Sequence, residues 1–170
     1  MAVKVLELHH HGIRVGPSLS DVKKAYGFYH EVLGLEADPG RPVIPTIEGF
    51  WMDVGGTAQI HLMGVNGQSK FAQGPDKDPS RPHVALAVAD VQEAKAELDR
   101  MGIEHWVTVG AVGPESQQIF MLDPFGNMVE LHQAGTCRCI TSKRRPVPDR
   151  AGRTKERSVG ARRPKGRKAK

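Results

Sequence analysis

The chain has 170 residues, of which 39% are hydrophobic, and it carries a formal net charge of +5. This length is enough for one domain with its own core. No apolar run is long enough to span a membrane, and the segment that follows Met1 does not resemble a secretory signal. The two cysteines, Cys137 and Cys139, match no disulfide or zinc-site pattern, so we expect a cytoplasmic protein in a reducing compartment.

The charge is divided unevenly along the chain. Residues 1–134 hold 10 lysines and arginines against 17 acidic residues, whereas residues 135–170 hold 14 against 2. The basic segment has few apolar residues, so it cannot offset the entropy of ordering. We therefore predict one folded domain over 1–134 and a disordered basic tail over 135–170. That tail is either an arm for nucleic acid or another anionic surface, or a solvated appendage, which its composition favours.

The first half of the domain begins with a predicted strand over 5–15. Four of its residues alternate onto one face: Leu8, His10, Gly12 and Arg14. A helix over about 21–33 follows, and its apolar residues at helical spacing predict a buried stripe: Val22, Ala25, Tyr29, Val32 and Leu33. The next segment, 34–45, is rich in proline and glycine, which disfavour a regular strand there. A hairpin with strands at 50–54 and 58–63 completes this half.

The second half opens with a predicted strand over 83–88 and a helix that Asp90 caps and Gly102 ends. Four apolar residues mark the buried side of this helix: Val91, Ala94, Leu98 and Met101. Two strands over 104–109 and 117–122 follow, and a turn at 123–127 leads into a last strand. The segment between the halves, 65–80, is predicted to be an exposed linker.

Both halves repeat the order strand, helix, strand, strand, strand. His61 and Glu130 are 69 residues apart, as are the two predicted helix starts, while His10 and His83 are 73 apart because the first half has a longer loop. Aligning the halves in this way selects His10 from three successive histidines and leaves out His9. The repeat predicts an α+β fold of two βαβββ units, over about 5–64 and 81–133.

Four side chains that can bind metal occupy equivalent positions in the two units: His10, His61, His83 and Glu130. Imidazole with one carboxylate suits a divalent ion such as Zn, Ni, Co, Mn or Fe. If all four bind, two positions of an octahedral ion stay open for adjacent substrate oxygens. If only three bind, two histidines and a carboxylate on iron suit oxygen activation.

These features together resemble the vicinal oxygen chelate superfamily, which includes glyoxalase I, extradiol dioxygenases and bleomycin-resistance proteins. The segments that carry the resemblance are 8–15, 28–29, 33–35, 59–62, 83–88 and 123–127 with Glu130. The resemblance implies paired βαβββ units that form a curled mixed sheet around a metal site, and usually a homodimer. In the superfamily, the positions that match His10, His61, His83 and Glu130 are metal ligands.

The closest likeness is to the broad glyoxalase-I-like group, which implies a metal-dependent lyase or isomerase acting on a small substrate chelated through adjacent oxygens. Glu130 is then also the candidate base, because a metal-bound carboxylate can accept a proton next to a chelated carbonyl. Arg14, Gln59 and His132 are candidate substrate-binding residues. The alternatives are an Fe(II) extradiol-type dioxygenase and a drug- or metabolite-binding module of the bleomycin-resistance kind.

Overall fold

A computed structural model describes residues 2–55 and 58–135, and these form one mixed, open sheet of seven strands with two α-helices. The elements follow the order β1 (Val5–Gly16), α1 (Leu19–Gly27), β2 (Glu48–Val54), β3 (Ala58–Gly64), β4 (His83–Val88), α2 (Val91–Met101), β5 (Trp106–Val109), β6 (Gln117–Leu122) and β7 (Met128–Gln133). The strand order across the sheet is β2-β3-β1-β4-β7-β6-β5. The predicted α+β class is confirmed.

The sheet shows the internal repeat in its pairing. β1 pairs in parallel with β3, and β4 pairs in parallel with β7, so the first and last strands of each unit are neighbours. β1 and β4 then pair antiparallel and form a seam between the two units. This seam brings strands from both halves to the centre of one sheet.

The first unit lacks one regular strand that the repeat predicts. In its place the structure has an isolated bridge between Ala37 and Met52 on the outer side of β2. Proline cannot donate a ladder hydrogen bond, and three prolines (Pro39, Pro42 and Pro45) interrupt this segment. The expected βαβββ pattern is therefore complete only in the second unit.

A β-bulge interrupts the middle of β1. Leu8 pairs with Leu86 and His10 pairs with Ala85, so His9 is an extra residue with no partner on β4. Such a bulge changes the alternation of side chains along the strand. The predicted common face of Leu8 and His10 is wrong for this reason, because Leu8 is 52% exposed while His9 and His10 are both buried.

The first helix begins two residues earlier than predicted and does not stay an α-helix to its end. Ser18 is its N-cap, and the side chains of Ser18 and Asp21 form a reciprocal capping box. After Gly27 the chain continues as a π-helical turn over Phe28–Val32. This wider turn shifts the helical phase. Of the predicted stripe, Val22 is fully buried but Val32 and Leu33 are exposed, which corrects that expectation.

The second helix matches its predicted ends. The Asp90 side chain accepts hydrogen bonds from the second and third residues of the helix, and Gly102 adopts a left-handed conformation with φ of 67°. Three of the four expected apolar residues pack against β6 and β7 in the main core: Val91, Ala94 and Leu98. The fourth, Met101, lies in the last turn and is 46% exposed, so its predicted burial is wrong.

The segment between the units is more ordered than the predicted linker. The buried Asp78 carboxylate accepts hydrogen bonds from the backbone of Ser69 and Ser80 and from the Ser69 hydroxyl. Burial acts to raise the pKa of Asp78, but these hydrogen bonds hold it below its ordinary value. The segment therefore folds around its own buried carboxylate and is not simply exposed.

Neither helix in the described part of the chain is long and apolar enough to cross a membrane. The predicted basic tail, apart from Gly135, and both cysteines lie outside the described residues. The predictions made for them stay predictions.

Candidate metal centre

Three of the four predicted ligands come together on the three central strands of the sheet. His10 on β1 is in register with Ala85 on β4, which is in register with Glu130 on β7. His83 lies two residues before Ala85 and therefore points to the same face. The small Ala85 side chain leaves space between its larger neighbours. All three polar residues come from one chain, two from the second unit and one from the first.

The three side chains form a tight buried cluster, which we call the His-His-Glu cluster (His10, His83 and Glu130). The two Nε2 atoms are 3.0 Å apart. The Glu130 Oε2 atom is 3.3 Å from His10 Nε2 and 3.1 Å from His83 Nε2. Each residue is at most 4% exposed.

These distances fit a bound divalent ion. Ligand atoms about 2.1 Å from one ion and at right angles to each other lie about 3 Å apart. The three atoms of the His-His-Glu cluster have this separation, and they belong to the residue types that bind Zn, Ni, Co, Mn or Fe. The described residues could hold such an ion with part of its coordination sphere left open to a substrate.

Hydrogen bonds orient both imidazoles so that Nε2 faces the carboxylate. The Nδ1 atom of His83 donates to the carbonyl of Arg81 at 2.7 Å. The Nδ1 atoms of His9 and His10 are 2.8 Å apart, so one of them donates to the other. A hydrogen bond at the far ring nitrogen fixes the tautomer that presents the near nitrogen to a metal.

The protonation of the cluster follows from burial and from the carboxylate. Burial lowers the pKa of His10 to about 4, although Glu130 opposes this shift. Burial also acts to lower the pKa of His83, but its hydrogen bond to Glu130 raises it above the ordinary value. Burial acts to raise the pKa of Glu130, yet His10 and His83 hold it well below its usual range. Glu130 is therefore an ionised acceptor at neutral pH.

The fourth predicted ligand, His61, lies beside the cluster but is turned away from it. Its ring stacks on His10 at a centroid distance of 3.7 Å and on Trp51 at 4.5 Å. Its Nε2 atom donates to the Gln59 side-chain oxygen at 3.1 Å. Burial, followed by the neighbouring His10, lowers its pKa well below the ordinary value. For His61 to bind the same ion, its ring would have to leave this arrangement.

Gln59 is held by two carboxylates behind His61. Its amide nitrogen donates to Asp38 and to Asp53, at 2.9 Å in both cases. This leaves the amide oxygen of Gln59 to accept a hydrogen bond from His61. The two carboxylates therefore fix the orientation of the Gln59 amide and, through it, that of the His61 ring. The predicted contact of Gln59 with a substrate stays a prediction, and in this structure Gln59 positions His61.

The other two predicted substrate-binding residues occupy different surroundings. His132 is buried, and its Nε2 atom is 3.9 Å from Glu130 Oε1. The Arg14 guanidinium instead donates to the backbone carbonyls of Val65 and Gly67. Arg14 therefore ties β1 to the segment between the units, and its role in substrate binding stays a prediction.

His9 is a site residue that the sequence reasoning missed. It contacts His10 through Nδ1, and its ring stacks on His132 at 4.5 Å between centroids. Strict alternation along β1 would place His9 on the opposite face from His10, and only the bulge brings both rings inward. No residue type at this point of the sequence marks the bulge.

A cavity opens from the His-His-Glu cluster to the surface. The space that water-sized groups can occupy in it is about 60 Å³, enough for a few such groups beside the cluster. Its walls come from both units and are mainly apolar, with Trp51, Met63 and Phe120 among the lining residues, while Arg41 and Gln118 add polar groups. The cluster, its buried carboxylate and this cavity are the parts that a binding or catalytic site needs.

A comparison with protein families matches residues 8–131 to the Glyoxalase/Bleomycin resistance protein/Dioxygenase superfamily. The chain belongs to this superfamily. Comparison with curated protein sequences finds no match. The match to the family over residues 8–131 confirms the resemblance inferred from the sequence motifs. The sheet described above is the superfamily fold.

Solved structures of the same superfamily fold include several methylmalonyl-CoA epimerases. The enzyme from Mycobacterium tuberculosis is 25% identical, with a TM-score of 0.59, over 78% of this chain and 91% of its own. A Streptomyces coelicolor epimerase variant in complex with 2-nitronate-propionyl-CoA is 17% identical, with a TM-score of 0.56, over 78% and 100%. A hypothetical protein from Bacillus halodurans C-125 is 24% identical, with a TM-score of 0.55, over 75% and 93%.

The buried histidines of this superfamily member predict a loss of stability in acid. The pKa of His10 is about 4 in the folded state against 6.5 in the unfolded chain, so the unfolded state binds more protons between these values. Stability should therefore fall as the pH drops from 6.5 to 4, by about 3 kcal/mol from His10 alone. The lowered pKa of His61 acts in the same direction, that of Glu130 does so only below its ordinary value of 4.5, and the raised pKa of His83 opposes them.

Urea unfolding of the metal-free protein at pH 7.5 and pH 5 measures this loss. The variant His10→Gln should show a smaller difference between the two pH values, whereas His11→Gln, at an exposed position of the same strand, should behave like the parent. Equal stability of the parent at both pH values would contradict the prediction.

Proposed function

We propose that this protein is a metal-dependent enzyme of the isomerase or lyase kind, which moves a proton on a small substrate chelated through adjacent oxygens. The observation that carries the proposal is the His-His-Glu cluster, three metal-competent atoms within 3.3 Å of one another at the inner end of a cavity. The proposal includes the glyoxalase-I-like assignment made from the sequence and the presence of a divalent ion.

The side chains of the cluster have separate roles in this proposal. His10, His83 and the Oε2 atom of Glu130 would hold the ion, which supplies Lewis-acid stabilisation of a substrate enolate when it is bound. The Oε1 atom of Glu130 points instead toward His132, 3.9 Å away. Glu130 is thus placed to accept a proton at Oε1 while Oε2 stays with the histidines, and its lowered pKa keeps it ionised for this purpose.

The walls of the cavity would keep water from the reacting atoms. Trp51 and Phe120 are 3% and 2% exposed, and each stacks on or meets the edge of a histidine: His61 for Trp51 and His83 for Phe120. Aromatic walls lower the local dielectric and strengthen the interaction of the carboxylate with a developing charge.

The structural neighbours support isomerase-type chemistry over glyoxalase I itself. Epimerases are isomerases, and the Mycobacterium tuberculosis methylmalonyl-CoA epimerase is similar over most of both chains. A small acid or its thioester is therefore the first substrate class to test. A homodimer and a cytoplasmic location, which the sequence suggested, are also proposals for this chain, and light scattering on the purified protein tests the first.

A second candidate is an Fe(II) ring-cleaving dioxygenase. The observation that favours it is the composition of the cluster, since two histidines and one carboxylate are the usual ligand set of such iron sites. His61, the fourth predicted ligand, is turned toward Gln59. Oxygen uptake with catechol that depends on added Fe(II) would favour this candidate, and its absence would leave the isomerase proposal.

Elemental analysis of protein purified without a histidine tag tests the metal. We expect near-stoichiometric divalent metal in the parent and its loss in His10→Ala, because a buried ligand is removed. The matched control is His11→Ala, at the adjacent exposed position, which should keep its metal. The variant His61→Ala tests whether the ion has three protein ligands or four. Retention of metal in this variant would indicate three. No metal in the parent after reconstitution would refute the proposal and favour a binding module.

A further inference from the structure

Gln118 has a buried amide that the fold itself does not satisfy. The residue is 2% exposed, and among the described residues neither its Oε1 nor its Nε2 atom has a hydrogen-bond partner. A buried polar group without a partner costs about 1–3 kcal/mol, so such groups are rare in folded proteins. An amide with both ends unpaired within the fold is available to a partner that is not part of this chain, such as water or a ligand.

The position of Gln118 shows where that partner would lie. Gln118 on β6 is in register with His132 on β7, two residues from Glu130. Its side chain lines the same cavity as the His-His-Glu cluster. A ligand that reaches the cluster through this cavity therefore passes the unpaired amide.

Arg41 is a second incompletely satisfied group in the wall of the cavity. Its Nη1 and Nη2 atoms donate to the carbonyls of Pro42 and Ile47, at 3.1 and 2.7 Å, while its buried Nε has no partner. No carboxylate of the described residues lies within ion-pair distance. Burial lowers the pKa of Arg41, with Glu48 opposing the shift. Because its hydrogen bonds go only to neutral carbonyls, the half-buried Arg41 cation is available to bind an anion.

We infer that Arg41 and Gln118, which line the same cavity as the cluster, recognise a carboxylate of the substrate that is separate from the chelated oxygens. Arg41 neutralises the carboxylate, and the Gln118 amide donates to it or to a neighbouring oxygen of the same molecule. The inference rests on the proposed function and narrows its substrate class to small organic acids with adjacent oxygens and a separate carboxylate. Both residues are specificity-determining, whereas Glu130 moves the proton.

The test compares two probes by isothermal titration calorimetry of the full chain, both metal-loaded and metal-free. The probes are 2-oxoglutarate and 2-oxovalerate, which are both five-carbon 2-oxo acids. The last carbon is a second carboxylate in 2-oxoglutarate and a methyl group in 2-oxovalerate. We expect the parent to bind 2-oxoglutarate at least about 10-fold more tightly, because a charge-assisted pair is worth about 1.5–3 kcal/mol. Arg41→Met should abolish this preference by weakening the binding of 2-oxoglutarate. Arg41→Lys keeps the positive charge and should therefore retain part of the preference for 2-oxoglutarate.

Two further variants separate recognition from structure. Gln118→Leu should weaken 2-oxoglutarate binding about 5-fold or more while the melting temperature stays the same or rises, because an unpaired buried amide is removed. A structural role would instead lower the melting temperature and leave binding unchanged, which would overturn the role of Gln118. The control Arg100→Met, on the exposed face of α2, should change neither property.

Failure of this inference is distinguishable from failure of the proposed function. Metal content of the same samples reports on the proposed function alone. If the protein binds no metal but the metal-free form still prefers 2-oxoglutarate through Arg41, the inference stands and the proposed chemistry fails. If neither form prefers 2-oxoglutarate, or neither probe binds, the inference is overturned even where the metal site is intact.

Discussion

Replacing Glu130 with glutamine is expected to lower the affinity for a divalent metal by about 100-fold or more. The change removes the one anionic ligand of the His-His-Glu cluster while keeping its shape, and supporting groups alone account for about 10–100-fold in metal sites. The amide can still donate to His10 and His83, so the fold should persist. Competition with a fluorescent chelator measures the affinity, and circular dichroism checks the fold.

The matched control for this variant is Glu115→Gln, which removes a carboxylate at an exposed position outside the cluster. It should bind metal like the parent. If Glu130→Gln also binds like the parent, Glu130 is not a ligand. Once a substrate is found, the same variant should lose about 10²–10⁴-fold in turnover if Glu130 is also the base.

Replacing Gly12 with alanine should disable the site without removing any ligand. A Cβ atom at Gly12 would lie 2.5 Å from Cε1 of the His83 ring and 2.8 Å from both ring nitrogens. The ring must therefore move, and its hydrogen bond to the Arg81 carbonyl limits where it can go. Misplacing a ligand of this kind is expected to weaken metal binding about 10–100-fold.

Gly27→Ala is the control for Gly12→Ala. Gly27 ends α1 with φ of −55°, and a Cβ atom there would meet only the Glu31 carboxylate at ordinary contact distance. This change should leave metal binding intact and stabilise the helix by about 0.5–1 kcal/mol. Chelator competition and thermal unfolding on both variants decide the comparison. Unchanged metal affinity in Gly12→Ala would show that the ring has room that the structure does not indicate.

The internal repeat is the reason why so much of the site could be predicted from the sequence. It fixes strand equivalence without reference to chemistry, and so it selected His10, His61, His83 and Glu130, of which the fold brings all but His61 into one cluster. Period-2 alternation and helix caps likewise predicted β4, β6 and α2 with nearly correct bounds. These features depend on local rules that a single sequence carries.

The remaining features depend on tertiary contacts or on local irregularities. The bulge that turns His9 inward leaves no mark on residue type. The orientation of His61 depends on Gln59, which is held by Asp53 on the neighbouring strand and by the more distant Asp38. The unpaired groups of Arg41 and Gln118 are visible only when burial and partners are known. The repeat thus predicts which residues form most of the candidate site, but it does not predict the orientation and hydrogen bonding of each side chain.

The seam between β1 and β4 has a thermodynamic consequence. One ligand of the His-His-Glu cluster, His10, lies on the first side of this seam, and the other two lie on the second. Neither half alone carries the full set, so a bound ion would cross-link the two halves. By linkage, the free energy of ion binding would add to that of their association. A chain cut within 65–80 would then reassemble more tightly as the concentration of the ion rises.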